Sequence, residues 1–254
     1  MILDSFRLDG QVALVTGASR GLGQGAALAL AEAGADVALL SRGNLRETAA
    51  RIRALGRKAH PVHRDLARAT AADLAADVAE VIGALGAVDI LVNNAGTIRR
   101  APAAEYPVRD WDEVLAVNLD AVFHLSQAAG CHMLERGRGR IINVASMLSF
   151  QGGIFVPAYA ASKHAVVGLT RALANEWASA GVTVNAVAPG YMATDNTTAL
   201  RGDPVREQSI SARIPAARWG TPADLHGAFV FLASRAADYV TGAVLPVDGG
   251  WLAR

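Results

Sequence analysis

The chain has 254 residues, 52 % of them hydrophobic, enough for one α/β domain with a large buried core or for two small ones. Lys plus Arg is 24 and Asp plus Glu is 23, so the net charge of +1 makes no electrostatic case for nucleic acid, and no basic run reads as a binding arm. Cys131 is the only cysteine, which excludes an internal disulfide and fits a reducing cytoplasm; the charged start, residues 1–9, lacks a signal-like apolar core, and no uncharged apolar run is long enough for a bilayer.

Residues 11–16 (QVALVT) form a short β-branched apolar run that ends in glycines and predicts a buried strand. Residues 21–34 are Ala- and Leu-rich at helical spacing and stop at Gly34. A second strand is expected at 36–41 (DVALLS), a helix at 44–55 ended by Gly56, and a weaker strand at 59–64. Thr70 opens a helix over 70–85 as its cap, and 87–92 read as the fourth strand. The rhythm then repeats. A long helix covers 109–136, a strand 140–146, a helix 158–180 and a strand 182–188. A polar segment, 191–219, precedes a helix at 222–234 and a last strand at 243–247. That segment is long for a connection and reads as a substrate loop, with room for a short helix at 204–210. Strands alternating with helices predict an α/β fold: a single doubly wound parallel sheet of about seven strands with helices on both faces, spanning 1–254 as one Rossmann-type domain.

The turn between the first strand and first helix reads Thr16-Gly17-Ala18-Ser19-Arg20-Gly21-Leu22-Gly23. Gly17, Gly21 and Gly23 allow a tight turn and close approach to a pyrophosphate, and the helix N-terminus offers free N–H groups to the anion. The spacing is looser than G-x-G-x-x-G, and it is the position in the fold that favours a dinucleotide over an ordinary turn. The second strand ends Leu40-Ser41-Arg42, with no acid to hold a ribose 2′-hydroxyl. Arg20 and Arg42 instead suit the 2′-phosphate of NADP, against the alternative that both are solvated surface charges. Asp65-Leu66, after the third strand, suits the adenine edge.

Tyr159 and Lys163 lie four residues apart in a helix and project from one face. An ammonium beside a phenol favours phenolate and lowers its pKa. Ser146 ends the fifth strand at the same carboxyl edge as the glycine loop, where its hydroxyl can hold a substrate oxygen while Tyr159 transfers the proton.

These pieces, with Asn93-Asn94-Ala95-Gly96, Asn118 and Pro189-Gly190, resemble the short-chain dehydrogenase/reductase family over nearly the whole chain. The resemblance implies a catalytic tetrad of Asn118, Ser146, Tyr159 and Lys163, with Asn118 holding a relay water and Lys163 also on the nicotinamide ribose. It places Gly17, Ser19, Arg20, Gly21, Leu22, Gly23, Ser41, Arg42, Asp65, Leu66, Asn93, Asn94, Ala95, Gly96, Pro189, Gly190, Met192 and Thr194 along the cofactor. It also implies a homotetramer and the strand order 3-2-1-4-5-6-7. Residues 93–100, 145–153, 188–194, 213–220 and 247–254 are similar to the branch of the family that handles keto-deoxy sugar acids. That branch is generally assigned NAD, whereas Arg20 and Arg42 allow NADP, so the expected cofactor is NAD or NADP.

A sugar acid carries a carboxylate, which suits a bidentate arginine. Arg99 and Arg100 follow the fourth strand at the active edge, with Arg99 taken as the substrate residue beside Gln151 and Tyr191. The histidines form no metal pattern: His60 and His63 are three apart on a strand and face opposite ways. Trp177, Trp219 and Trp251 read as packing residues. Rival readings are a gluconate 5-dehydrogenase or 3-ketoacyl reductase activity, or an NAD(P) sensor without chemistry. A hydrolase is excluded because Ser146 lacks a G-x-S-x-G elbow.

Overall fold

The computed structural model describes residues 1–254, apart from the side chains of Asn196 and Ala199. Seven strands, β1 Val12–Thr16, β2 Asp36–Ser41, β3 Ala59–His63, β4 Ile90–Asn93, β5 Gly139–Val144, β6 Val182–Pro189 and β7 Val244–Val247, form one sheet. Its order is β3-β2-β1-β4-β5-β6-β7 and all six pairings are parallel. The chain winds outward from β1 to β3, then returns to β4 beside β1 and winds the other way. The reversal opens a crevice at the carboxyl ends of β1 and β4, where ligands bind in such sheets.

Alternate residues of β1 serve two cores. Ala13 and Val15 pack with Leu28, Leu30 and Phe229 on one face. Val12 and Leu14 pack with Leu74, Val78, Leu125 and Trp177 on the other. The first face is covered by α1 Gly21–Glu32, α2 Arg46–Ala54 and, further along the chain, a helix at His226–Ala233. The second is covered by α3 Ala71–Leu85 and the helices between β4 and β6. Thr70 caps α3 as expected: its hydroxyl accepts the Asp73 N–H at 3.2 Å, and Asp73 accepts the Thr70 N–H at 2.9 Å.

The stretch expected as one helix over 109–136 is interrupted. It runs as α4 Val108–Leu115, a π-turn at Ala116–Asp120 and α5 Ala121–Glu135. By length and composition residues 108–135 could cross a bilayer, but α5 packs on α3, β4 and β5 as a wall of the fold. Next come α6 Pro157–Trp177, opened by proline, and the 191–219 segment. That segment holds a 3-10 turn at Asp195–Thr197, α7 Thr198–Arg201 and α8 Pro204–Arg213. An isolated bridge between Met192 and Gly220 closes its stem. The helix expected at 222–234 is a 3-10 turn, Pro222–Leu225, leading into α9 His226–Ala233.

Candidate active site

The glycine loop is shaped by close backbone approach. Gly17 and Gly21 hold φ at +66° and +58°, and a Cβ on Gly23 would lie 2.3 Å from the Gly17 carbonyl oxygen. Asn94 braces the loop by donating from Nδ2 to the Thr16 carbonyl at 2.9 Å. The Thr16 hydroxyl, in turn, accepts the N–H groups of Asn94 and Ala95, each at 2.9 Å. Thr16 thus locks β1 to the end of β4, a role that no local pattern announced. The cradle at the start of α1 fits a pyrophosphate: unencumbered backbone, a helix N-terminus, and no acid in the first turn.

At the far end of the crevice, the Ser41 hydroxyl donates to Ser19 Oγ and accepts the Gly43 N–H, both at 3.1 Å. Beside it lies an open pocket of about 410 Å³ lined by Arg42, Gly43, Asn44, Arg46 and His63. Arg46 and His63 were not among the expected cofactor residues; the β2–β3 pairing brings His63 alongside Ser41, while Arg46 opens α2 four residues after Arg42. Arg42 stands 4.0 Å from Asp65. Arg20 is not in this pocket; its guanidinium bonds Asp195 at 2.8 Å, at the mouth of the 191–219 segment. Thr194 comes near the glycine loop, 3.8 Å from where a Cβ on Gly21 would stand.

Two of the four residues expected to carry the chemistry, Asn118 and Lys163, meet at Gly96. A Cβ there would lie 3.5 Å from Asn118 Oδ1 and 3.8 Å from Lys163 Nζ. Asn118 is fully buried on the π-turn and pairs with Thr97 both ways: Oδ1 accepts its N–H at 2.8 Å and Nδ2 donates to its carbonyl at 3.0 Å. Nδ2 also donates to Ser162 Oγ at 3.2 Å. Ser146 starts a 3-10 turn, Met147–Ser149, that aligns it with α6, and Ser149 Oγ donates to the Lys163 carbonyl at 2.7 Å. Lys163 is buried, and its Nζ donates to the Val144 carbonyl at 2.6 Å. Burial pulls that ammonium down to about 8.

The electrostatics differ from the expectation of an acidified phenol. Lys163 Nζ sits 5.7 Å from the Tyr159 ring centroid, with a proton committed to Val144. Desolvation therefore dominates and pushes the phenol above its ordinary value, while the Ser146 hydroxyl and the Arg100 charge pull it back.

Several expected contacts point elsewhere. Arg99 forks onto Glu113 at 3.2 and 2.6 Å, which engages it within the fold rather than with a ligand. Arg100 is the exposed neighbour of Arg99, carried on the connection after β4 whose Ala101 N–H bonds the Phe155 carbonyl at 3.0 Å. Phe155 holds φ at +65°, strain of about 1 kcal/mol or more in the wall opposite. The Asn93 side chain faces inward, donating to Ser126 at 3.0 Å and Asn143 at 2.9 Å, so it braces the cleft floor. Met192 is buried in the core against Gly220, and Leu66 is buried in the opposite core. Gln151 accepts the Trp251 indole N–H at 3.1 Å, and Tyr191 packs edge-on to Trp219 and Trp251.

With this geometry in view, comparison with known proteins is informative. The short chain dehydrogenase family model matches residues 11–204. The 2-dehydro-3-deoxy-D-gluconate 5-dehydrogenase of Escherichia coli strain K12 is 53 % identical, with 100 % of both chains covered. A structure named as a 2-deoxy-D-gluconate 3-dehydrogenase from Agrobacterium tumefaciens, with bound NADP, is 53 % identical; it aligns with TM-score 0.92 over 98 % of this chain and 99 % of that one. A gluconate 5-dehydrogenase from Burkholderia cenocepacia J2315, in complex with NADP and tartrate, is 42 % identical, with TM-score 0.94 and complete (100 %) coverage of both. The chain therefore belongs to the short-chain dehydrogenase family, as an NAD(P)-dependent oxidoreductase acting on CH–OH groups.

Proposed function

We propose that the chain interconverts a secondary alcohol and a ketone on a deoxy sugar acid of the 2-dehydro-3-deoxy-D-gluconate or 2-deoxy-D-gluconate type. The observation that carries the chemistry is the grouping of the Tyr159 phenol with the Ser146 hydroxyl and, 5.7 Å from its ring, the Lys163 ammonium, at the same sheet edge as the glycine cradle. The substrate class rests on the 53 % identity to the Escherichia coli sugar-acid dehydrogenase across the entire chain.

Bound in the crevice, a nicotinamide dinucleotide supplies the hydride acceptor or donor. In the oxidative direction Ser146 Oγ donates to the substrate oxygen and Tyr159, as phenolate, removes its proton. In reduction Tyr159 returns that proton to the new alkoxide. Burial opposes the phenolate, and the groups that favour it are the Ser146 hydroxyl and the Arg100 charge; the Lys163 bond to the Val144 carbonyl holds its ammonium at the end of β5, where it can meet the nicotinamide ribose. Asn118, anchored twice to Thr97, fixes the π-turn that faces Lys163. Arg100, rather than Arg99, is free to hold the carboxylate, and its charge already acts on the Tyr159 phenol. Arg42 and Arg46 suit a 2′-phosphate, which supports NADP use alongside NAD. The 191–219 segment covers the substrate in this reading.

The working assembly is proposed as a cytoplasmic homotetramer. Exposed Val108, Trp111 and Phe123 on α4 and α5 support a partner face there. A gluconate 5-dehydrogenase activity is the second reading, favoured by the 42 % identity to the tartrate complex. Retention of both Tyr159 and Lys163 argues against a sensor without chemistry.

The test follows nicotinamide absorbance with NAD and NADP on 2-dehydro-3-deoxy-D-gluconate, 2-deoxy-D-gluconate, D-gluconate and a 3-ketoacyl thioester. Turnover of a deoxy sugar acid above the others is expected, and Tyr159→Phe should lower kcat by at least ~10²-fold while sparing dinucleotide binding. No turnover of any sugar acid, or full activity in Tyr159→Phe, overturns the proposal.

A further inference from the structure

The C-terminal tail takes a route that the sequence builds with some care. β7 ends at Val247, and the Asp248 carboxylate then accepts two backbone N–H groups, from Gly250 and Leu252, each at 2.9 Å. Gly249 and Gly250 hold φ at +65° and +91°. A Cβ on Gly249 would lie 2.8 Å from Ile214, and one on Gly250 3.0 Å from Pro215. Only glycine lets the tail turn this tightly against the end of α8.

The turn delivers Trp251 beneath the 191–219 segment. The indole is 6 % exposed and packs with Met147, Ile210 and Ile214. The Arg213 guanidinium lies 3.9 Å over its ring, and Arg254 donates to the Ala212 carbonyl at 3.3 Å. The tail is therefore clipped to α8 at both ends. Through this packing the indole N–H reaches the other wall of the cleft and bonds Gln151 Oε1 at 3.1 Å.

We propose that Trp251 is a positioning residue for the substrate: its indole N–H fixes the Gln151 amide so that the amide NH₂ is presented to an oxygen of the sugar acid. The proposal rests on the sugar-acid activity proposed above and on the expectation from sequence that Gln151 contacts substrate, through the amide NH₂ that its bond to Trp251 leaves unused. An indole N–H can only donate, so the amide must turn its carbonyl toward Trp251. The reversed amide would set donor against donor, with a buried N–H left unpaired. One rotamer is thus selected before substrate arrives, and its free NH₂ matches a hydroxyl or carboxylate oxygen. The same contact joins the tail, the 191–219 segment and the loop after Ser146 into one wall.

The experiment is a double-mutant cycle on the full-length enzyme, assayed with 2-dehydro-3-deoxy-D-gluconate and D-gluconate. Trp251→Phe keeps the ring and its stacking on Arg213 but deletes the donor. Trp251→Phe and Gln151→Ala should each raise substrate KM roughly ten-fold, with kcat and dinucleotide KM little changed. The double variant should be no worse than either single one. Gln151→Glu, which keeps the acceptor for the indole and removes the amide NH₂, should raise KM as Gln151→Ala does, and it serves if Trp251→Phe does not fold. If Gln151→Ala or Gln151→Glu leaves KM unchanged, Gln151 does not touch substrate and the proposal falls with that reading. If they raise KM while Trp251→Phe does not, or if the two effects multiply, the contact to substrate stands and the positioning role is overturned.

Discussion

Lys163 carries a positive charge into a site where it is only 4 % exposed, and those two facts oppose each other. Burial pulls its pKa from an ordinary 10.5 to about 8. Below pH 8 the side chain is protonated in the folded and the unfolded chain alike, so folding bears the whole cost of burying the charge. Above pH 8 the folded chain sheds this proton first, the unfolded chain binds more protons, and stability rises with pH until both are neutral. Between pH 7.5 and 9.5 this contribution grows by roughly 2 kcal/mol. Urea denaturation of the wild type and Lys163→Met should therefore diverge over that interval, the wild type gaining relative to the variant. A constant difference would refute the assignment. The Tyr159–Lys163 pair was legible because four-residue spacing places side chains on one helix face. The exchange of Arg99 for Arg100 was not, since what engages Arg99 is Glu113 on another element. Nor did the fall in phenol pKa expected from that spacing appear, because burial of the phenol pushes it up and the ammonium instead bonds the Val144 carbonyl, on a strand.

Among the elements, the glycine loop and the long α4–α5 helix teach opposite lessons. The loop was readable because its glycines sit between an apolar strand and an Ala-rich helix. Its demand for glycine at 23 is steric: an added methyl would strike the Gly17 carbonyl at 2.3 Å and Asn94 Nδ2 at 2.4 Å. Gly23→Ala should thus force the loop off its pyrophosphate geometry and weaken dinucleotide binding at least ~10-fold, measured by quenching of intrinsic fluorescence on titration with NADPH. Unchanged affinity would show that the cradle lies elsewhere. The π-turn at Ala116–Asp120 was invisible, because one widened turn barely disturbs hydrophobic periodicity. It nonetheless sets Asn118 against Thr97, which a regular helix would place differently. The 191–219 segment was read as a polar loop with one short helix; α8 runs three residues further, to Arg213, because Asp203 caps its start and Ile210 anchors it.

At the scale of the whole molecule, the alternation of strands and helices gave the parallel doubly wound sheet and the family resemblance implied its strand order, and all seven strands lie where the sequence placed strands. The buried charges that tie the sheet together could not be foreseen, since their partners are far apart in sequence. Asp89, 4 % exposed, accepts the Val12 N–H at 2.9 Å and pairs with Arg136 at 2.9 Å, joining β1, the start of β4 and the end of α5. Asp89→Ala removes one partner of a buried pair and should destabilise the fold by about 3 kcal/mol. In a chain of this size that lowers Tm by roughly 6–12 °C. Calorimetry should show that loss while substrate KM is retained, and an unchanged Tm would contradict it. Arg20 and Asp195, 175 residues apart in the chain, face each other across the mouth of the crevice at 2.8 Å, both largely exposed. A charge pair in that position acts less on the equilibrium of the fold than on traffic through the mouth. If a spent dinucleotide leaves past this pair, its release should quicken in concentrated salt, where the attraction is screened within about 3 Å, and stopped-flow release rates across a salt series check it.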